Sequence, residues 1–151
     1  MIRSIIPGIV VAALGALSLS LVANRNASAR GGYSLASLKG SYAGIFSGQV
    51  NTDSGLVPIL GTGIFISDGK GGLTGHESYT FGTTTCDSTI SGSYTMSPDG
   101  TGTDSITDSS ASPGCSGGSY TQSLAIGDKG KLVLLSNNNG DQINEEWHSQ
   151  K

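Results

Sequence analysis

The segment Thr89-Ile90-Ser91-Gly92-Ser93-Tyr94-Thr95-Met96 is followed by Ser97-Pro98-Asp99-Gly100 and then by Thr101 to Asp108. Ile90, Gly92, Tyr94 and Met96 fall on alternate positions, the period of a strand whose two faces see different surroundings. The Pro-Asp-Gly centre supplies the fixed and the positive φ angles of a tight turn. The segment therefore reads as a β-hairpin, and the same signature recurs along the chain. Strand chemistry runs over Ser41 to Val50, Gly61 to Ser67, Leu73 to Phe81, Thr89 to Met96, Thr101 to Asp108, Tyr120 to Ile126, Lys131 to Ser136 and Gln142 to His148. Tyr42, Gly44, Phe46, Gly48 and Val50 share one face, as do Tyr120, Gln122, Leu124 and Ile126.

The connections alternate in length. Asp68 to Gly72, Ser97 to Gly100 and Gly127 to Gly130 are tight, whereas Asn51 to Leu60, Gly82 to Ser88, Ser109 to Ser119 and Asn137 to Asp141 read as longer loops. In an up-and-down meander successive connections lie at opposite ends, so this pattern predicts one end closed by short turns and a long-loop rim at the other. Eight antiparallel strands must also protect their edges, and closure into a barrel removes them. The expected fold is all-β, an eight-stranded antiparallel up-and-down barrel over residues 41–151. The alternative is a two-sheet β-sandwich.

Composition agrees with sheet. The 151 residues include 24 Gly and only 13% charged side chains, with a formal net charge of −3. Arg3, the uncharged run Ile5 to Val22 and Ala27-Ser28-Ala29 read as a signal-peptide helix over residues 1–29, cleaved after Ala29. A retained membrane anchor is the other reading of that run. The remainder, with residues 30–40 as a lead-in and Leu35 to Lys39 as a short plug, carries six basic and eleven acidic groups, a charge of −5. No basic stripe is present to neutralise phosphates, so neither nucleic acid nor an anionic membrane is expected as a partner. Periplasmic or secreted localisation follows.

Cys86 and Cys115 are the only cysteines. In an exported chain, an even count without a CxxC spacing reads as a disulfide bond. Both fall in connections at the long-loop end of the meander, and closing that loop is worth about 3 to 4 kcal/mol.

Leu38-Lys39-Gly40-Ser41-Tyr42, Gly61-Thr62-Gly63-Ile64-Phe65 with Asp68-Gly69-Lys70-Gly71, and Gly92-Ser93-Tyr94-Thr95 with Pro98-Asp99-Gly100-Thr101-Gly102 together resemble motifs of small exported bacterial proteins. The fold of those proteins is similar to the allene oxide cyclase or calycin-like barrel. The resemblance spans residues 35–148 and implies a fold, not an activity. Leu73-Thr74-Gly75 is similar to a run in avidin-like proteins, but those stack biotin among several Trp residues and Trp147 is the only one here. Periplasmic metalloprotease inhibitors are similar in size, leader and single disulfide, while Arg30-Gly31-Gly32-Tyr33 does not match their inhibitory segment.

No catalytic set is recognisable. His76 and Glu77 are adjacent on a strand and so point to opposite faces, with His76 on the Thr74, Ser78 and Thr80 side. Glu145, Glu146 and His148 read as a rim or edge. Neither Asp99, Asp104 and Asp108 nor Asn137 to Asp141 has the spacing of a calcium loop, and both sets read as turn formers. No cofactor, metal or enzymatic activity is expected. Phe46, Tyr79, Tyr94, Tyr120 and Trp147, with Gln122 as a polar group among them, are the candidates to line an apolar pocket. The expectation is a non-enzymatic binding module for a small apolar ligand or a protein partner at the long-loop rim. A structural envelope protein with a filled core and a protease-inhibitor-like protein are the alternatives. Leu56 to Leu60 is too apolar for a solvated loop and is expected to cap the barrel or to contact a partner.

Overall fold

The computed structural model describes residues 32–137 and 140–151. The leader expected over residues 1–29, with the Ala27-Ser28-Ala29 site, lies outside them. The described chain forms eight strands: β1 Gly40–Thr52, β2 Gly55–Ser67, β3 Gly72–Phe81, β4 Thr84–Tyr94, β5 Thr101–Ser110, β6 Ser119–Gly127, β7 Leu132–Asn137 and β8 Gln142–Ser149. Each pairs antiparallel with the next, and β1 closes on β8 from Tyr42↔Ser149 to Gln49↔Gln142. The barrel is closed, and the sandwich alternative is excluded.

The short-turn end is plugged. Leu35–Leu38 forms a single 3₁₀ turn whose Leu38 is 1% exposed. Tyr94 Oη donates to the Leu35 carbonyl at 2.8 Å and accepts from Ser67 Oγ at 2.8 Å, fixing the plug to β2 and β4. On the other side Tyr42 Oη donates to the Gly130 carbonyl at 2.8 Å. Gly130 ends the β6–β7 turn at φ 85°, and a Cβ there would stand 2.0 Å from the Ser37 carbonyl oxygen, so only glycine lets the plug seat.

Above the plug the interior is filled. Tyr42, Phe65, Leu73, Ile90, Tyr94 and Trp147 belong to one buried cluster with the inward residues of β5 to β7. Phe65 and Trp147 stack with centroids 4.4 Å apart. They lie against β1 only because position 44 is glycine: a Cβ would meet Phe65 at 2.5 Å and Trp147 at 2.6 Å.

At the opposite end the structure corrects the expected loops. Asn51 to Leu60 is not a loop: β1 and β2 run on to a two-residue turn, with Thr52 paired to Gly55. β3 and β4 likewise meet through Gly82 and Thr83, so Gly82 to Ser88 is mostly strand and Cys86 sits inside β4. Pro58 concealed the extension of β2. Its carbonyl accepts from Gly82 N at 2.9 Å on the flank where pairing with β3 begins only at Ile59. On that edge the missing N–H removes no ladder bond. Leu56 to Leu60 therefore does not cap the barrel; Leu56 and Leu60 point outward and Ile59 inward. Only the connections over residues 111–118 and 138–141 are longer than two residues at this rim.

Candidate functional site: an acidic cavity at the rim

The upper half of the barrel is hollow. A cavity of about 290 Å³ opens between the strand ends and the 111–118 loop. Its apolar wall comes from alternate positions of neighbouring strands: Phe46 and Val50 of β1, Ile59 of β2, Phe81 of β3 and Ile143 of β8. Phe46 and Tyr79 meet as a tilted aromatic pair, centroids 6.1 Å apart.

The Cys86–Cys115 disulfide holds one side of the mouth, with Cα atoms 5.9 Å apart. Asp87 N donates to Ser112 Oγ at 3.1 Å, so the 111–118 loop is tied to β4 by this bond as well as by the disulfide, and Ser110 Oγ at the end of β5 donates to the Asp87 carbonyl at 2.9 Å. Across the mouth Asn51 N donates to Asp141 Oδ1 at 2.9 Å. The bond closes a loop with a sequence separation of 29. Replacing both cysteines by alanine is expected to cost about 3 kcal/mol, read by urea unfolding, while strand signals in circular dichroism persist.

The floor is acidic. Glu145, 7% exposed, accepts from Trp147 Nε1 at 2.5 Å and from Gln122 Nε2 at 3.2 Å. Burial pushes its carboxyl up to about 7 even though both hydrogen bonds favour the charged form. Glu77, 8% exposed, has no hydrogen-bond partner among the described residues. Burial first, then the charges of Asp108 and Glu145, raise it to about 8. Asp108 accepts from Tyr79 Oη at 3.3 Å through Oδ2, while its Oδ1 is buried without a partner. Asp104, 1% exposed and not itself part of the cavity lining, is raised to about 7 by burial and then by the charge of Glu145. Burial also raises the Tyr120 phenol.

Of the residues expected to line a pocket, Phe46, Tyr79, Tyr120 and Gln122 do line this cavity. Tyr94 and Trp147 lie in the filled half, one bound to the plug and the other stacked on Phe65. Glu145 is not at an edge, as the sequence reading had it, but inside the barrel. Its signal was present: Glu145 and Trp147 are two apart on β8 and so share a face, as do Glu77 and Tyr79 on β3 and Asp104 and Ile106 on β5.

His76 is exposed on the outer face, opposite to Glu77. His148 pairs with Glu146 outside the barrel at 2.5 Å. Asp99 is spent on its own turn, accepting from Thr101 N at 3.0 Å and Thr101 Oγ1 at 2.7 Å, so it does not join Asp104 and Asp108. Among the described residues no group of three His, Cys, Asp or Glu side chains is placed to hold a metal ion. No protein-family model matches the chain, and neither the curated proteins nor the solved structures contain a significant match to it.

Proposed function

We propose that the protein is an exported binding module, not an enzyme, that takes a small and largely apolar molecule through the disulfide-held rim. The observation that carries this reading is the division of the barrel into a plugged, filled half and a hollow half of about 290 Å³. That volume lies just under the range for ligand pockets, about 300 to 1,000 Å³, and so suits a small molecule. Burial of the apolar wall would supply affinity, and the few polar groups on the floor would set orientation. Both histidines face away from the cavity, so no histidine-based acid–base set forms there. Export is supported by the disulfide, which belongs in an oxidising compartment, and by the leader-like first 29 residues. Kinship with calycin-like or allene oxide cyclase-like barrels is part of the same proposal, resting on the turn motifs and on the closed meander.

One observation favours a protein partner as a second reading. Ile45, Leu56, Leu60, Ile64 and Ile66 form an exposed apolar stripe on the outside of β1 and β2. Native mass spectrometry of protein isolated from its own host separates the two. A retained mass of a few hundred daltons or less supports the cavity. A defined protein complex, with the cavity empty, supports the stripe and overturns the small-molecule reading.

A further inference from the structure

We propose that the cavity takes an organic cation, a molecule with an apolar body and a protonated amine, whose ammonium sits between the Glu77 and Asp108 carboxyl groups within the field of Glu145. The inference rests on the small-molecule reading and adds the charge of the occupant.

Glu77 faces the cavity from β3, is more than nine-tenths buried, and has no hydrogen-bond partner among the described residues. Leaving such a group unpaired costs stability, and an occupant that donates to it removes the cost. Asp108 repeats the pattern from β5: one oxygen takes the Tyr79 hydroxyl and the other is buried unpartnered. An ammonium carries three donors and no acceptor, which suits two carboxyl groups with free oxygens better than a hydroxyl does. No lysine or arginine lines the cavity among the described residues, so no side chain there supplies the positive charge. Phe46, Tyr79, Phe81 and Tyr120 present ring surface around the same space, and aromatic faces attract cations within about 6 Å. A metal ion is a poorer match, because the acidic side chains do not converge in a set of three. They are spread around a volume of molecular size.

Charge and proton are coupled at this site. Glu77 is faced by Tyr79 on its own strand, by Asp108 from β5, by Tyr120 from β6 and by Glu145 from β8. With Glu77 at about 8 and Glu145 at about 7, the empty floor is largely protonated in weak acid. A bound cation favours the carboxylate forms, so its binding releases protons and strengthens as pH rises toward 8.

The test uses three probes of near-equal size, 4-phenylbutylamine, 4-phenylbutanol and 4-phenylbutyrate, titrated into the folded protein by calorimetry near pH 8 and near pH 5.5. The amine is expected to bind about tenfold or more tighter than the alcohol at the higher pH. That preference is expected to shrink at the lower pH and in Glu77→Gln, with Asp108→Asn as the second variant should the first misfold. Equal affinity of amine and alcohol near pH 8, or tightest binding of the carboxylate, would overturn the cation inference and leave the small-molecule reading standing. Failure of all three to perturb Tyr79 and Tyr120 resonances at millimolar concentration would overturn both.

Discussion

Glu77→Gln is expected to raise stability near pH 8 by about 3 kcal/mol and to remove much of the fall in stability that the wild-type protein shows between weakly acidic and weakly basic pH. The sign follows from the direction of the shift. In the folded protein Glu77 holds its proton to about 8, against an ordinary value of 4.5. Between those values the folded state binds a proton that the unfolded state has lost. Its contribution is fully present below the ordinary value and is lost as pH rises through about 8. Asp104 and Glu145, each raised to about 7, act in the same direction. Glutamine keeps the shape of the protonated acid and cannot ionise. Melting curves at half-unit steps of pH check this: the variant should exceed the wild type by more than about 10 °C near pH 8 and match it near pH 5. Superimposable profiles would mean that Glu77 is solvated or paired.

Trp147→Ala is expected to lose about 4 to 5 kcal/mol, the upper part of the range for deleting a buried aromatic side chain. Trp147 is 1% exposed, stacks on Phe65, and tilts against Tyr42 with centroids 6.2 Å apart. Its loss leaves a void beside the Gly44 gap and also takes one of two hydrogen-bond donors, Trp147 Nε1 and Gln122 Nε2, from the Glu145 carboxylate. Trp147→Phe keeps most of the packing and removes only the donor, so it separates the two effects; about 1 to 2 kcal/mol is expected there. Because Trp147 is the sole tryptophan, unfolding of either variant is followed by circular dichroism rather than fluorescence. A cost below about 1 kcal/mol for the alanine variant would contradict the filled lower half.

The fold was legible because period and turn chemistry agreed over most of the chain. Alternation at Ile90, Gly92 and Tyr94 and the Pro98-Asp99-Gly100 turn describe a hairpin that the structure contains, with Tyr94 paired to Asp104. Barrel closure and the Cys86–Cys115 bond followed from counting strands and connection ends, although Cys86 proved to lie in a strand and not in a loop. At the upper rim the local signals oppose the tertiary context. Pro58 marks a break in most strands but is harmless on an edge, and Gly82-Thr83 needs only two residues to turn.

The site was half legible for a related reason. Aromatics on an inward face announce a core or a pocket, and Phe46, Tyr79 and Tyr120, with Gln122 among them, line one here. Glu77, Asp104 and Glu145 share inward faces with such residues, yet a carboxylate is ordinarily assigned to solvent because burying its charge is costly. Only the three-dimensional arrangement shows three of them inside one barrel, with their pKa values raised and no lysine or arginine on the cavity lining.

The most direct test of an acidic, desolvated floor beneath an open rim is a carbon-13 titration of the Glu and Asp side-chain carboxyl resonances in the unliganded protein. The account predicts that Glu77 titrates near 8 and Glu145 and Asp104 near 7, while Asp68 and Asp99 titrate below the usual carboxylate range. If Glu77, Asp104 and Glu145 all titrate below about 5, the carboxyl groups are solvated or paired, and the cavity described here is contradicted.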